Sequence, residues 1–345
     1  MEMKHKTAKI VVAGIAIVFV LVVGISLATS SGLVNLLLRN ALAFDKNIPD
    51  PGWSGTNYER IPYADISETD YLDLYVPDSA EPRPLFILVN CGGFLGGDSQ
   101  SRQSILMYQY IRSLGYACAS VNYRLAGEAT YPAAVDDVKA AVRFLRANAD
   151  VYGYDPDRFV IWGESAGGYL ASMAALSGED EYHGVKFIGE DEVDPVSGKV
   201  SALIDFYGVL DFAEIDNDFE ELKIPSWLRT LVSTNNIMNR DDSFVAQFLG
   251  ETLNTFSQNE LNETSPTFRV TSGLENQNIK VFVTHGSVDI TVPKLQSVRL
   301  YNVCTAALGA ENVTYIEQQN LKHADDRFYS PENLEPVKEF LESLW

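Results

Sequence analysis

Histidine is scarce in this sequence: His5, His183, His285 and His323 are the only four in 345 residues. Any chemistry that needs an imidazole base must draw on one of them. Cysteine is scarcer still. Cys91, Cys118 and Cys304 are too few and too scattered for a disulfide framework or a zinc cluster, and Cys118, in an apolar strand-like run, reads as a small core residue. Basic residues are outnumbered, 26 Lys and Arg against 47 Asp and Glu, for a formal net charge of −21. A nucleic-acid binder needs basic patches to displace counterions from phosphates, so nucleic acid is excluded as a partner. Internal repeats and low-complexity tracts are also missing. What is plentiful is apolar: 46% of the residues are hydrophobic, enough for one large core.

The longest apolar run stands apart from that core. Ile10 to Ala28 is a 19-residue stretch without a charge, preceded by Lys4, Lys6 and Lys9. At about 1.5 Å per residue it nearly spans a hydrocarbon layer of roughly 30 Å. The lysines predict that residues 1–9 stay cytoplasmic and that the rest of the chain lies outside. The expectation is an uncleaved transmembrane anchor over 10–28, with a juxtamembrane linker over 29–55. Leu33 to Phe44 could form a short amphipathic helix there, ended by Pro49-Asp50-Pro51-Gly52. A cleaved signal peptide, giving a secreted protein, is the competing reading, because Ser26-Leu27-Ala28 offers small residues at a suitable spacing. The run exceeds the usual length of about 7–15 residues for such a peptide, which favours the anchor.

From about residue 56 to 345 short apolar runs alternate with helical periodicity. Strands are expected at Tyr71–Val76, Leu85–Val89, Ala117–Tyr123, Phe159–Trp162, Ala202–Tyr207, Ile279–Thr284 and Val313–Glu317. Val135 to Asn148 carries Val135, Val138, Ala141, Val142 and Leu145 on one helical face, and Ser297 to Leu308 reads as another helix. Continuous apolar strands alternating with helices imply a largely parallel sheet covered on both faces, an α/β fold. Residues 211–270 break the rhythm. They are polar, contain Pro225-Ser226-Trp227, and read as a lid or cap insertion over a site, with Phe219 and Trp227 as pocket residues.

The chemistry-bearing motif follows Phe159–Trp162. Gly163-Glu164-Ser165-Ala166-Gly167 has the form G-x-S-x-G, a strand-to-helix turn so tight that only glycines fit two residues either side of the serine. The turn lifts the hydroxyl out of the sheet, and the helix after it aims its N-terminus at developing negative charge. An ordinary glycine-rich turn could share the pattern; the strand before it and the helix after it favour the nucleophile. Glu164 reads as a structural neighbour without access to substrate. A serine hydroxyl needs a base, and an elbow of this kind expects serine, acid and histidine in that chain order. Asp289 follows the strand at Ile279–Thr284 and His323 follows the last strand, both at the carboxyl ends where such sheets place their sites. His323 could take the serine proton while Asp289 fixes its tautomer. His5 precedes the anchor, His183 lies in an acidic loop, and His285 precedes the acid and reads as a brace of its turn. Asp325 and Asp326 adjoin the histidine and would need to fold back on it. The loop Asn90-Cys91-Gly92-Gly93-Phe94-Leu95-Gly96-Gly97 offers backbone donors for an oxyanion, joined by the amide of Ala166.

These residues together resemble the α/β-hydrolase esterases of the hormone-sensitive-lipase and bacterial feruloyl/acetyl-esterase type. The likeness rests on Asn90-Cys91-Gly92-Gly93-Phe94, Ser120 to Leu125, Tyr131 to Asp137, Gly163 to Gly168, His285 to Asp289 with Val292-Pro293, and His323 to Asp326. It implies an α/β-hydrolase fold and a carboxylic-ester hydrolase acting on a small-molecule ester, short-acyl or aryl, without metal or cofactor. Ser165, Asp289 and His323 would be the triad, and Gly92, Gly93 and Ala166 the oxyanion donors. The family's loop usually begins His-Gly-Gly-Gly; here Asn90 and Cys91 replace the first two residues. Amide hydrolysis, by a serine peptidase or an aryl-formamide hydrolase, stays open on the same triad, as does a binding protein on a retired scaffold. No protein partner is implied.

Overall fold

In a computed structural model of the chain, residues 52–179, 181–191, 195–222, 238–276 and 278–345 are described. The expected basic segment, the anchor at 10–28, most of the linker, and Trp227 lie outside the described residues. Among the described residues no helix is long and apolar enough to cross a membrane.

Eight strands form one sheet: β1 (Gly55–Pro62), β2 (Tyr71–Pro77), β3 (Arg83–Val89), β4 (Ala117–Val121), β5 (Tyr154–Glu164), β6 (Ala202–Phe206), β7 (Lys280–Gly286) and β8 (Val313–Gln318). Their order across the sheet is β1-β2-β4-β3-β5-β6-β7-β8. β1 and β4 pair antiparallel with β2, and every neighbour pair from β4 to β8 is parallel. The helices are α1 (Arg102–Ser113), α2 (Ala133–Ala147), α3 (Ala149–Tyr152), α4 (Ala166–Leu176), α5 (Ile215–Glu221), α6 (Phe244–Leu249), α7 (Gln258–Glu263), α8 (Pro266–Gly273), α9 (Leu295–Leu308) and α10 (Pro331–Glu342).

The central strands read as unbroken apolar runs because each buries both faces. In β3, Leu85, Ile87 and Val89 enter one core with α2, α4 and α9. Phe86 and Leu88 enter the other, against Met107 and Ile111 of α1 and Val337 and Phe340 of α10. β5 repeats the division, Phe159 and Ile161 to the first core and Val160 and Trp162 to the second. The period of two along each strand thus becomes a three-layer molecule.

Several elements were not foreseen, the short α3 and the helices α5 to α8 among them. β1 is an edge strand of mostly exposed residues with a register shift between Tyr58 and Ile61, so it carries no apolar alternation. α1 has a thin apolar stripe, and α10 holds Pro336 in its interior. β5 also starts at Tyr154, five residues before the expected Phe159. The described parts of 211–270 lie between β6 and β7 and hold α5, α6, α7, the start of α8 and a 3-10 turn at Leu253–Thr255, joined by turns. Phe219 there is buried in the larger core.

Candidate active site

The turn from β5 to α4 places Ser165 at φ 53°, ψ −120°, a conformation side chains rarely adopt. It is held from both sides: Ser165 N–H donates to Phe206 O at 2.9 Å, and Ser165 O accepts from Tyr169 N–H at 3.1 Å. The glycines have physical reasons. A Cβ on Gly163 would lie 2.0 Å from the Gly167 carbonyl oxygen, and one on Gly167 would lie 2.2 Å from that of Val89. Neither contact is tolerable, and the second shows that α4 begins directly on the end of β3.

The turn after β7 supplies a carboxylate. Asp289 Oδ1 accepts from the N–H groups of Thr291 and Val292 at 2.8 and 3.0 Å. Its Oδ2 accepts from His323 Nδ1 at 2.7 Å, which leaves His323 Nε2 facing Ser165 Oγ at 2.9 Å. The chain of contacts therefore runs from Ser165 through His323 to Asp289, across 158 and 34 residues of sequence. Because Nδ1 donates to a carboxylate, the tautomer left at Nε2 is an acceptor for the serine hydroxyl. Asp289 is closed from solvent, while the His323 side chain keeps 14% of its exposure.

His285 is a brace, and more than one of its own turn. Its Nδ1 accepts from Ser297 Oγ at 2.8 Å, and its Nε2 lies 3.0 Å from Val292 O and 3.3 Å from Asp289 Oδ2. Burial would raise the Asp289 pKa, but the bonds from His285 and His323 outweigh it and hold the carboxyl well below the usual range. The rivals go elsewhere. His183 is exposed and bonds to the Glu179 carbonyl. Asp325 is held by Arg327 at 2.7 and 2.9 Å, and Asp326 by Arg102 at 2.8 Å. Sequence gave no warning of Tyr207. It follows β6 at φ 44°, and its ring meets the His323 ring edge-on with centroids 4.8 Å apart.

Gly92 (φ 140°) and Gly93 (φ 59°) adopt conformations that side chains avoid, and a Cβ on Gly92 would fall 1.9 Å from Gly96 O. Gly92 O accepts from the amides of Leu95 and Gly96, closing a tight loop. Among the described residues, the amides of Gly92, Gly93 and Ala166 donate to no other group. The Asn90 amide reaches only the Cys91 carbonyl, at 3.3 Å, and its Oδ1 is buried without a partner. The loop is tied more firmly by Tyr123, whose hydroxyl donates to Asn90 O at 2.9 Å. Cys91 is buried, and burial together with nearby Glu164 pushes its thiol far above the usual range. It is no thiolate.

A family model, BD-FAE, matches residues 72–303, from β2 into α9. The chain belongs to the BD-FAE family. Among curated proteins this BD-FAE member is similar to Esterase LipQ of Mycobacterium tuberculosis, 31% identical over 303 residues, covering 87% of this chain and 62% of that one. It is also similar to Esterase LipC of the same organism, 27% identical over 248 residues, covering 71% of this chain and 54% of LipC. The match thus spans less than two thirds of either relative. Solved structures that share the fold include a truncated carbohydrate esterase from gut microbiota (TM-score 0.66, 24% identity, 86% of this chain and 98% of that), and Esterase B from Lactobacillus Rhamnosis (HN001) (TM-score 0.64, 21% identity, 93% of each). An α/β hydrolase with esterase relatives is the result.

Proposed function

We propose that the protein is a serine carboxylic-ester hydrolase working through an acyl-enzyme. The observation that carries this is the continuous path from Ser165 Oγ to His323 Nε2 and from Nδ1 to Asp289 Oδ2. His323 takes the hydroxyl proton as Ser165 Oγ bonds to the ester carbonyl carbon. The amides of Gly92, Gly93 and Ala166 receive the oxygen's developing charge. Asp289 steadies the imidazolium, which then gives its proton to the departing alkoxide. Water, deprotonated by the same imidazole, releases the acid and restores Ser165. The names of the relatives support the ester class, and short-acyl or aryl esters are the substrates this reading expects. We further infer that residues 10–28 anchor the enzyme, with its catalytic part on the outer side of the membrane.

A panel of nitrophenyl esters of increasing acyl length, beside peptide and formamide substrates, tests the class. Ester turnover should dominate, and a fluorophosphonate should label the wild type but not Ser165→Ala. Turnover confined to amides would overturn the ester assignment. Equal labelling of Ser165→Ala would move the nucleophile.

A further inference from the structure

Glu164 stands next to the nucleophile and is completely buried. No step of the reaction just described uses it. Its Oε1 accepts a hydrogen bond from the Tyr329 hydroxyl, in the 3-10 turn Asp326–Tyr329 that follows His323. Its Oε2 and the Tyr207 hydroxyl are both buried and make no regular hydrogen bond. Each nevertheless acts on the other: Tyr207 lowers the carboxyl pKa, and Glu164 raises that of the phenol. Tyr207 in turn lays its ring against His323, and Phe328 packs on Tyr207 with centroids 4.7 Å apart. One carboxyl therefore bonds the elbow to the histidine loop, and Tyr207, after β6, packs on that loop through His323 and Phe328.

We propose that Glu164 is a positioning residue: through Tyr329 and Tyr207 its carboxyl holds the His323 loop against the nucleophile elbow, more firmly when ionised than when protonated. The proposal rests on the esterase reading above. The ionised form can accept from both phenols at once. The protonated form keeps one acceptor for Tyr329 and turns its hydroxyl toward Tyr207, making weaker, neutral bonds. The groups facing it are few. Cys91 comes from the loop after β3, Tyr207 from the turn just after β6, and Asp326 and Tyr329 from the turn after His323. Cys91 and the two tyrosines stay neutral, since burial raises all three. Asp326 raises Glu164 only as a lesser cause and is itself paired with Arg102. Burial lifts Glu164 to about 7, against the pull of the two hydroxyls, so both forms are populated near neutrality.

The test compares wild type, Glu164→Gln and Tyr329→Phe. Glutamine mimics the protonated carboxyl, and phenylalanine keeps the ring while removing the hydroxyl. Wild-type kcat should show a partial step near neutral pH, and both variants should lack it. Above the step each variant should lose about tenfold in kcat with KM nearly unchanged, as when a charge-assisted hydrogen bond becomes a neutral one. Independently of turnover, the infrared carbonyl band of a protonated carboxyl should titrate near neutral pH in wild type and be missing in Glu164→Gln. Loss of activity by the same factor at every pH would overturn the proposal and leave Glu164 as packing. A carbonyl band that does not titrate would overturn it as well. Failure of the esterase reading shows differently, as a wild type that neither hydrolyses esters nor takes the fluorophosphonate label at Ser165; the infrared titration still decides Glu164 in that case. Should Glu164→Gln fail to fold, the Tyr329→Phe profile decides the question alone.

Discussion

At the scale of single residues the site is a set of unequal dependencies. His323 has two bonds that nothing else supplies, so His323→Ala should lower kcat on the order of 10³-fold or more. Asp289→Asn keeps the shape but disturbs the tautomer, and should cost on the order of 10²–10⁴. His285→Ala removes only one of the donors to Asp289 and should cost on the order of tenfold. Asp325→Asn and Asp326→Asn, whose carboxylates bond to Arg327 and Arg102, should stay near wild type. Steady-state kinetics on one nitrophenyl ester ranks all five; an Asp325 variant worse than Asp289→Asn would relocate the acid. The meeting of Ser165, Asp289 and His323 was legible in sequence because each follows a readable strand and histidine is scarce. Tyr207 and Tyr329 were not. Aromatic side chains are common in cores, and only the packed fold shows that these two face an imidazole and a carboxyl.

At the scale of elements, most strands were legible because burial on both faces leaves an apolar run with little ambiguity. β1 and α10 were not, since an edge strand and a proline-bearing helix show neither period cleanly. β6 hides a cost of its own. Asp205 points into the apolar interior, where Oδ2 accepts from Gly208 N–H at 3.3 Å and Oδ1 has no partner. Burial raises its carboxyl to about 8, with the Gly208 amide opposing. Below about pH 4 the folded and unfolded chains both keep the proton. From there up to about 8 the unfolded chain releases it while the folded one retains it, so stability falls as pH rises. Asp205→Asn keeps the shape and abolishes the proton. It should stabilise the protein by about 1–3 kcal/mol at pH 8 and by almost nothing at pH 4. Thermal unfolding at the two pH values measures the difference; equal shifts at both would show that Asp205 is ionised in the fold.

At the scale of the whole molecule, the charge-free run at 10–28 stands outside the described fold, whose residues form two apolar cores. Full-length protein should therefore sediment with membranes, and a version lacking residues 1–30 should be soluble with unchanged kcat. Native protein recovered from the medium and beginning at Thr29 would indicate a cleaved signal instead. The long reach of the site's bonds has another consequence. Ser165 meets His323 across 158 residues and Glu164 meets Tyr329 across 165, while among the described residues β8 joins the sheet only through β7. A ribosome will have delivered Ser165 long before His323 exists, so under the proposed mechanism the growing chain carries a serine with no base to activate it. Pairings this distant close late, because the intervening loop must first give up its freedom. On the proposed reading, activity waits for β8 and the segment after it to dock, and a chain stalled or clipped before residue 323 would fold much of its sheet while attacking no ester.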